Sequence, residues 1–322
     1  HRVDRRQRQM CIRDRYQTAD GKSTGDVLES VFDAAVERMA EVYREGHRVV
    51  VTFSGGKDSG VCLEVCVIAA TKTGRLPVEV VLRDEEIMYP GTFEYCERVA
   101  ARPEIDFHWI YANQPVLNVF NREEPYFWVF DPLLPPEKWV RQPPSYAYAI
   151  PEMNIQQLVT RKKFPPKPGK NLVRVVGLRV VESRARLFGL FKSMGHMTRE
   201  DSGGVISCRP IYDWKDGDVW RAIGERNWDY SDAYNQMHRL GVPKKMMRIG
   251  PISMNPEGVR LLKFCSSAWP KWFDKVCERL PGMRTAAQFG RRAVEPIRAN
   301  GESWKECFYR VCIDEAPDWI AA

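Results

Sequence analysis

Nothing in this chain constrains its fold more than Val49-Val50-Val51-Thr52-Phe53 running straight into Ser54-Gly55-Gly56-Lys57-Asp58-Ser59. The first stretch is an apolar, β-branched run, the second a glycine turn crowded with donors. Beyond it, Val61, Leu63, Val65, Val67 and Ile68 recur with helical spacing. The order predicts a strand, a tight turn and a helix. Backbone N–H groups at the start of such a helix favour an anion. The paired glycines let main chain approach it without a Cβ in the way. Lys57 adds a point charge, and Ser54 and Ser59 add hydroxyl donors. The four-residue spacing that a P-loop requires before Gly-Lys is absent, which argues against an ordinary kinase or GTPase site.

Further segments extend the pattern. Residues 26–45 show helical spacing ending at Gly46, Val78–Leu82 and Phe107–Tyr111 read as strands, and residues 92–101 read as a helix between them. Leu172–Gly177 reads as a fourth strand, with a helix expected over Val180–Met194. Strands alternating with helices imply an α/β fold with a doubly wound, mainly parallel sheet of Rossmann type, covered on both faces. Ligands of such sheets sit at the carboxyl ends of the strands, so the loops after Phe53, Leu82 and Val176 should converge on one crevice. Residues 112–170 interrupt the alternation with half of the chain's 22 prolines and with Trp128 and Trp139, as expected of an ordered lid or platform. The organisation expected is an arm over residues 1–24, a main domain over 25–250 carrying that insertion, and a helical C-terminal region over 251–322. The aromatics of that last region, among them Trp269, Trp272 and Trp304, are expected to pack.

The net charge of +7 sits largely in residues 1–16, where six arginines face Asp4 and Asp14. That stretch has no apolar core of the signal-peptide kind and is expected to be disordered or foreign to the natural protein. A basic arm for nucleic acid is the alternative. The run Arg161-Lys162-Lys163 with Lys167 and Lys170 reads either as a solvated surface or as a contact for nucleic-acid phosphates. No run of 18 apolar residues is present, so no membrane span is expected. Nine cysteines without a C-x-x-C pair imply reduced thiols and a cytoplasmic setting. Cys62 and Cys66 read as core, no compact set of thiols suits an iron–sulfur cluster, and no metal site is expected.

A second constellation, Gly177-Leu178-Arg179 followed by Glu182-Ser183-Arg184-Ala185-Arg186, leaves a strand end and enters a helix. Arg179 and Arg186 are fixed cations suited to phosphate oxygens. Taken alone, the residues fit equally a helix cap with surface ion pairs around Glu182. Asp216 and Asp218 read as aspartates favouring the start of a helix over Asp216–Ile223.

Ser54–Ser59 resembles the PP-loop of the adenine-nucleotide α-hydrolases, in which ATP is cut between its α- and β-phosphates. Together with the 177–186 segment and Pro210-Ile211-Tyr212-Asp213-Trp214…Asp218-Val219-Trp220, it is similar in order and spacing to phosphoadenosine phosphosulfate (PAPS) reductase-like proteins across roughly residues 45–250. Phe130-Asp131-Pro132…Trp139-Val140-Arg141 and Tyr234-Asn235-Gln236-Met237…Gly241-Val242-Pro243…Met247-Arg248-Ile249 look like the IbrA-type branch. The resemblance implies ATP and Mg²⁺ as ligands. Ser54, Gly55, Gly56, Lys57, Asp58 and Ser59 would hold the β- and γ-phosphates, with Gly177, Glu182 and Ser183 beside them. Asp84 would place adenosine or Mg²⁺. Lys57, Asp58, Arg179 and Arg186 would be the catalytic set, with the two arginines at the α-phosphate. It further implies an adenine nucleotide as partner, with a ParB-like protein or nucleic acid as a second one.

The departures are equally specific. The C-terminal Glu-Cys-Gly-Leu/Ile-His motif of PAPS reductases is missing, as are the cysteine pairs that hold iron–sulfur clusters in relatives, while the loop is intact. Adenylylation of an unknown acceptor is the leading expectation. The alternatives are a sulfonucleotide reductase using Cys265 or Cys208, and a nucleotide-binding regulatory or DNA-associated accessory protein without fast turnover.

Overall fold

The computed structural model describes residues 30–121, 123, 125–150, 158–183, 186–188, 195–201, 204–250, 252, 256–293 and 298–314. The arm expected over residues 1–24 lies outside them, as does the end of the helix expected over Val180–Met194. Two compact units result. One takes the chain up to Asn113 together with Pro143–Asn235, the other Gln114–Gln142 together with the chain from Gln236 onward. The units therefore divide elsewhere than the composition suggested. The first half of the proline-rich insertion joins the C-terminal helices, and its second half returns to the main sheet.

The first unit opens with α1 (Val31–Arg44), which starts where Ser30 Oγ accepts the Asp33 N–H at 3.1 Å. Then come β1 (Arg48–Phe53), α2 (Lys57–Thr73), β2 (Val78–Asp84), α3 (Thr92–Ala100) and β3 (Ile105–Tyr111). The chain leaves for a hairpin, β4 (Pro115–Leu117) and β5 (Tyr126–Trp128), and returns with β6 (Tyr148–Ala149), β7 (Leu172–Val175) and β8 (Val205–Cys208). Helix α4 (Asp216–Glu225) follows, and α5 (Ala233–Arg239) begins in this unit. Over 180–188 the expected helix is broken: Val180–Glu182 form a 3₁₀ turn, and Ser183 is extended.

Six strands form one sheet in the order β6-β3-β2-β1-β7-β8, every neighbouring pair parallel. The period of two along each strand assigns the faces. Val49, Val51 and Phe53 of β1, Val80 and Leu82 of β2, and Val173 and Val175 of β7 point to one side. There they meet Met39 of α1, Leu63 and Cys66 of α2 and Tyr95 of α3. Val50, Val81, Ile110, Leu172 and Val205 point to the other side, where Leu158, Val159 and Phe164 cover them. Cys62 and Cys66 are core residues, both buried among the helices.

Chain order reverses beside β1: β2 and β3 lie to one side of it, β7 and β8 to the other. This is the switch point of an open α/β sheet, where adjacent loops part and leave a crevice. The loops after β1 and β7 border it.

The Pro210–Trp214 stretch fastens α1 to the sheet. Arg38, 4 % exposed, donates to the Pro210 carbonyl at 2.6 Å and reaches both carboxylate oxygens of Asp213 at 2.8 and 2.5 Å. Trp214 is fully buried and donates its indole N–H to the Val31 carbonyl at 3.0 Å. In the basic run, Arg161 is tied to the Gly204 carbonyl, Asn171 and Glu200, which makes it part of a surface ion pair.

The second unit packs the β4–β5 hairpin with α6 (Pro256–Ala268), α7 (Pro270–Arg279) and α8 (Met283–Ala293). Asn118 donates to the Pro281 carbonyl at 3.2 Å, and Arg279 donates to that of Trp128. Gly282, at φ +89°, lies where a Cβ would fall 2.1 Å from the Phe120 carbonyl oxygen, so only glycine fits. Leu261, Leu262, Phe273, Val276 and Leu280 are buried. Trp269 and Trp272 stack edge-on, whereas Trp304 on α9 (Trp304–Tyr309) is 60 % exposed, contrary to the expectation that all three pack. Among the described residues no helix is long and apolar enough to cross a membrane.

Removing Asp213 would leave the Arg38 guanidinium buried without its counter-charge. Asp213→Ala is expected to lower stability by about 3 kcal/mol, read as a lower urea midpoint with an unchanged slope.

Candidate functional site

The turn Ser54-Gly55-Gly56 closes on itself. The Ser54 N–H donates to Ser59 Oγ at 3.2 Å, the two serine hydroxyls lie 3.1 Å apart, and Ser59 Oγ donates to the Gly56 carbonyl at 2.9 Å. Gly55 has φ +72°, and a Cβ there would stand 2.6 Å from Thr92 Cγ2 and 2.9 Å from Cys96 Sγ. The loop thus needs glycine for its conformation and for the wall that α3 presses against it. Gly56 is the N-cap of α2 and supplies no side-chain cap, so no cap side chain takes the first-turn N–H groups. The Lys57 N–H donates to the buried Tyr234 phenol oxygen at 3.0 Å.

The loop after β7 comes in close. A Cβ on Gly177 would lie 2.9 Å from the Asp58 carbonyl carbon and from the Ser59 nitrogen. Glycine is required because two backbones touch there, not because of its dihedral angles. This approach delivers Arg179, 2 % exposed, onto the first turn of α2. Its Nε lies 2.7 Å from Asp58 Oδ1, close enough for an ion pair but off hydrogen-bond alignment. Its Nη2 donates to Asp216 at 2.7 Å and to Glu182 at 3.4 Å. Among the described residues its buried Nη1 has no hydrogen-bond partner. Lys57 Nζ donates to Asp58 at 2.8 Å and lies 3.6 Å from Asp216. Arg186 pairs with the second oxygen of Glu182, and its own N–H is capped by Ser183 Oγ at 3.2 Å.

The structure therefore brings Lys57, Asp58, Arg179, Glu182 and Arg186 into one network, with Ser183 in local support. It adds Asp216 and Tyr234, which the sequence reading left out. In the sequence Asp216 stands as a charge favouring the start of α4, whereas its partners Lys57 and Arg179 lie far off in sequence. Partial burial works against ionisation of Asp216, but Arg179 and Lys57 outweigh it and hold its carboxyl below the ordinary aspartate value. Burial pushes the Tyr234 phenol well up, so it stays protonated at neutral pH.

Asp84 closes β2. It is 1 % exposed, accepts the Trp109 indole N–H at 2.8 Å on one oxygen and the Glu86 N–H at 2.9 Å on the other. These two bonds brace the loop after β2. A trio that could ligate a metal, Glu79, Asp106 and His108, lies toward the amino ends of the strands, away from the crevice, and Arg48 already holds Glu79 at 2.8 Å.

No family model matches this chain. It is 26 % identical over 275 residues to the uncharacterized protein YbdN of Escherichia coli (strain K12), covering 80 % of this chain and 66 % of that protein. The chain thus spans just under two thirds of that relative's length. Similar solved structures include Candida glabrata FMN adenylyltransferase with FAD and inorganic pyrophosphate, at 11 % identity and a TM-score of 0.40 over 66 % of this chain and 63 % of that one. A PAPS reductase from Candida auris in a phosphate complex gives 18 % and 0.36, over 71 % and 97 %. Yeast FAD synthetase with FAD gives 13 % and 0.41, over 84 % and 87 %. Likeness at this level does not carry an activity from one chain to another.

The lowered Asp216 pKa fixes a direction with pH. The stability its ion pairs contribute is complete above the unfolded value of about 3.9 and is lost as pH falls through the lower folded value. Side-chain carboxylate NMR should therefore show Asp216 titrating below about pH 3.9. An unshifted titration would mean that the pairing with Arg179 and Lys57 does not hold in solution.

Proposed function

We propose that this chain binds ATP through Ser54–Ser59 and cleaves it between the α- and β-phosphates, passing the adenylyl group to an acceptor. The observation that carries the reading is a glycine turn opening a 17-residue helix at the switch point of the sheet, with Lys57 and Arg179 at its mouth. Backbone donors, the positive end of the helix and two cations suit the terminal phosphates of a nucleotide. The motif resemblance supplies the reaction class.

In this reading Ser54, Gly55, Gly56 and Ser59 cradle the β- and γ-phosphates, with Lys57 between them. The acceptor bonds to the α-phosphorus while the bond to the α–β bridging oxygen breaks, and pyrophosphate leaves with the electron pair. The acceptor's proton passes to water. Arg179 and Arg186 offset charge developing at the α-phosphate, and Glu182 and Ser183 hold those arginines in place. Positioning and charge suffice for such a displacement, without a protein nucleophile. Mg²⁺ fits as an ion carried on the phosphates. Asp58 would be the carboxylate to hold it there, and it now faces Lys57 and Arg179.

The reductase alternative fits less well. Cys208 is fully buried at the end of β8 and Cys265 is 1 % exposed, whereas thiolate attack needs an accessible, ionised sulfur. A binding protein without turnover shares the cradle and differs only in pyrophosphate release.

Lys57→Ala is expected to weaken ATP binding by about tenfold to a hundredfold, the loss of one charge-assisted contact, and to abolish pyrophosphate release from ATP. Unchanged binding and release would remove the assignment, and binding without release in the parent protein would leave the binding function alone. N-ethylmaleimide should leave Cys208 and Cys265 unmodified in the native protein by peptide mass mapping. Rapid labelling of either would revive thiol chemistry.

A further inference from the structure

At the mouth of the cradle Lys57, Arg179 and Arg186 meet Asp58, Glu182 and Asp216. Three positive and three negative side chains cancel. A polyphosphate approaching this cluster as it stands finds the cations already answered by carboxylates.

The three carboxylates are not equally committed. Asp58 and Glu182 are 19 % and 16 % exposed, whereas Asp216 is 57 % exposed. A single oxygen of Asp216 lies 2.7 Å from Arg179 Nη2 and 3.6 Å from Lys57 Nζ, bridging two cations as a phosphate oxygen would. Among the described residues the buried Nη1 of Arg179 is a donor without an acceptor. As the first residue of α4, Asp216 can turn toward water without disturbing the sheet.

We propose that Asp216 is a displaceable internal anion that screens ligands of the cradle, excluding lone phosphate and yielding to di- and triphosphates. The inference rests on the nucleotide-binding reading above and names how that same site selects its ligand. On binding, Lys57 and Arg179 pass from the carboxylate to phosphate oxygens, and Asp216 moves into the solvent it already half faces. No covalent bond changes. A single phosphate brings too little charge to displace the carboxylate, whereas a pyrophosphate group adds contacts with the loop N–H groups.

Calorimetry on the full chain tests this, with sodium pyrophosphate and inorganic phosphate titrated in magnesium-free buffer and MgATP titrated separately. Asp216→Asn should bind pyrophosphate about tenfold tighter, a difference of about 1.4 kcal/mol, and should gain measurable affinity for phosphate. Asp216→Glu, which keeps the charge, should stay near the parent value. Thermal melts establish that each variant folds, and Asp216→Ser is read in the same way should the asparagine variant not fold. Equal pyrophosphate affinity in parent and variants, with MgATP bound normally, overturns the inference and leaves the nucleotide reading standing. Weaker MgATP binding in Asp216→Asn at unchanged pyrophosphate affinity overturns it in favour of Asp216 as a metal ligand. Failure of the parent and every variant to bind either pyrophosphate or MgATP removes the nucleotide reading and this inference together.

Discussion

The guanidinium of Arg179 is almost completely buried, and the carboxyl end of the sheet is organised around compensating it. A buried cation without partners would cost several kcal/mol, so the carboxylates near it answer a physical need. They come from three separate places: Asp58 in the first turn of α2, Glu182 in the turn after β7, and Asp216 at the head of α4. One ion cluster thus ties together three segments that are distant in sequence. The contact that permits it is the approach of Gly177 to the backbone of Asp58 and Ser59, which any Cβ would obstruct.

That cluster can lie where it does because of the sheet beneath it. Alternation along β1 and β2 sends Val51 and Val80 to the helical face and Val50 and Val81 to the other. The register sets Val51 opposite both Val80 and Val175, so the ends of β1 and β7 lie side by side. Their loops are then neighbours, and the start of α2 faces the crevice between them. The Arg38–Asp213 pair and the buried Trp214 indole hold α1 against the segment that leads into α4. The motif around residue 213 therefore acts on the site through architecture, by setting where Asp216 begins its helix.

Much of this was legible beforehand. Runs rich in β-branched and aromatic residues marked β1, β2, β3 and β7, because strands of a sheet covered on both faces are mostly apolar. The glycine turn before α2 was legible because few residues other than glycine reach the φ that Gly55 adopts. The division into units was less so. Composition joined residues 112–170 as one insertion, yet packing sends the β4–β5 hairpin to the C-terminal helices and Phe164 to the sheet. Proline content records where regular structure stops and carries no information about which core a segment enters. Arg179 and Arg186 were legible as cations, with ion pairs to Glu182 as one reading of them, but the share of Asp58 and Asp216 in neutralising Arg179 was not.

What the sequence determined by itself is local: strand, glycine turn and helix in that order, with a lysine and two hydroxyls at the anion-favouring end. Those features depend on dihedral preference and periodicity, which neighbours in the chain impose. Tertiary structure alone decided that Asp84 turns inward to Trp109, that Tyr234 takes the Lys57 N–H, and that Asp216 bridges Lys57 and Arg179. Each of those is a pairing of charge or hydrogen-bonding groups across long sequence separations. Which donor meets which acceptor is settled only when packing brings the segments together and strips water from them.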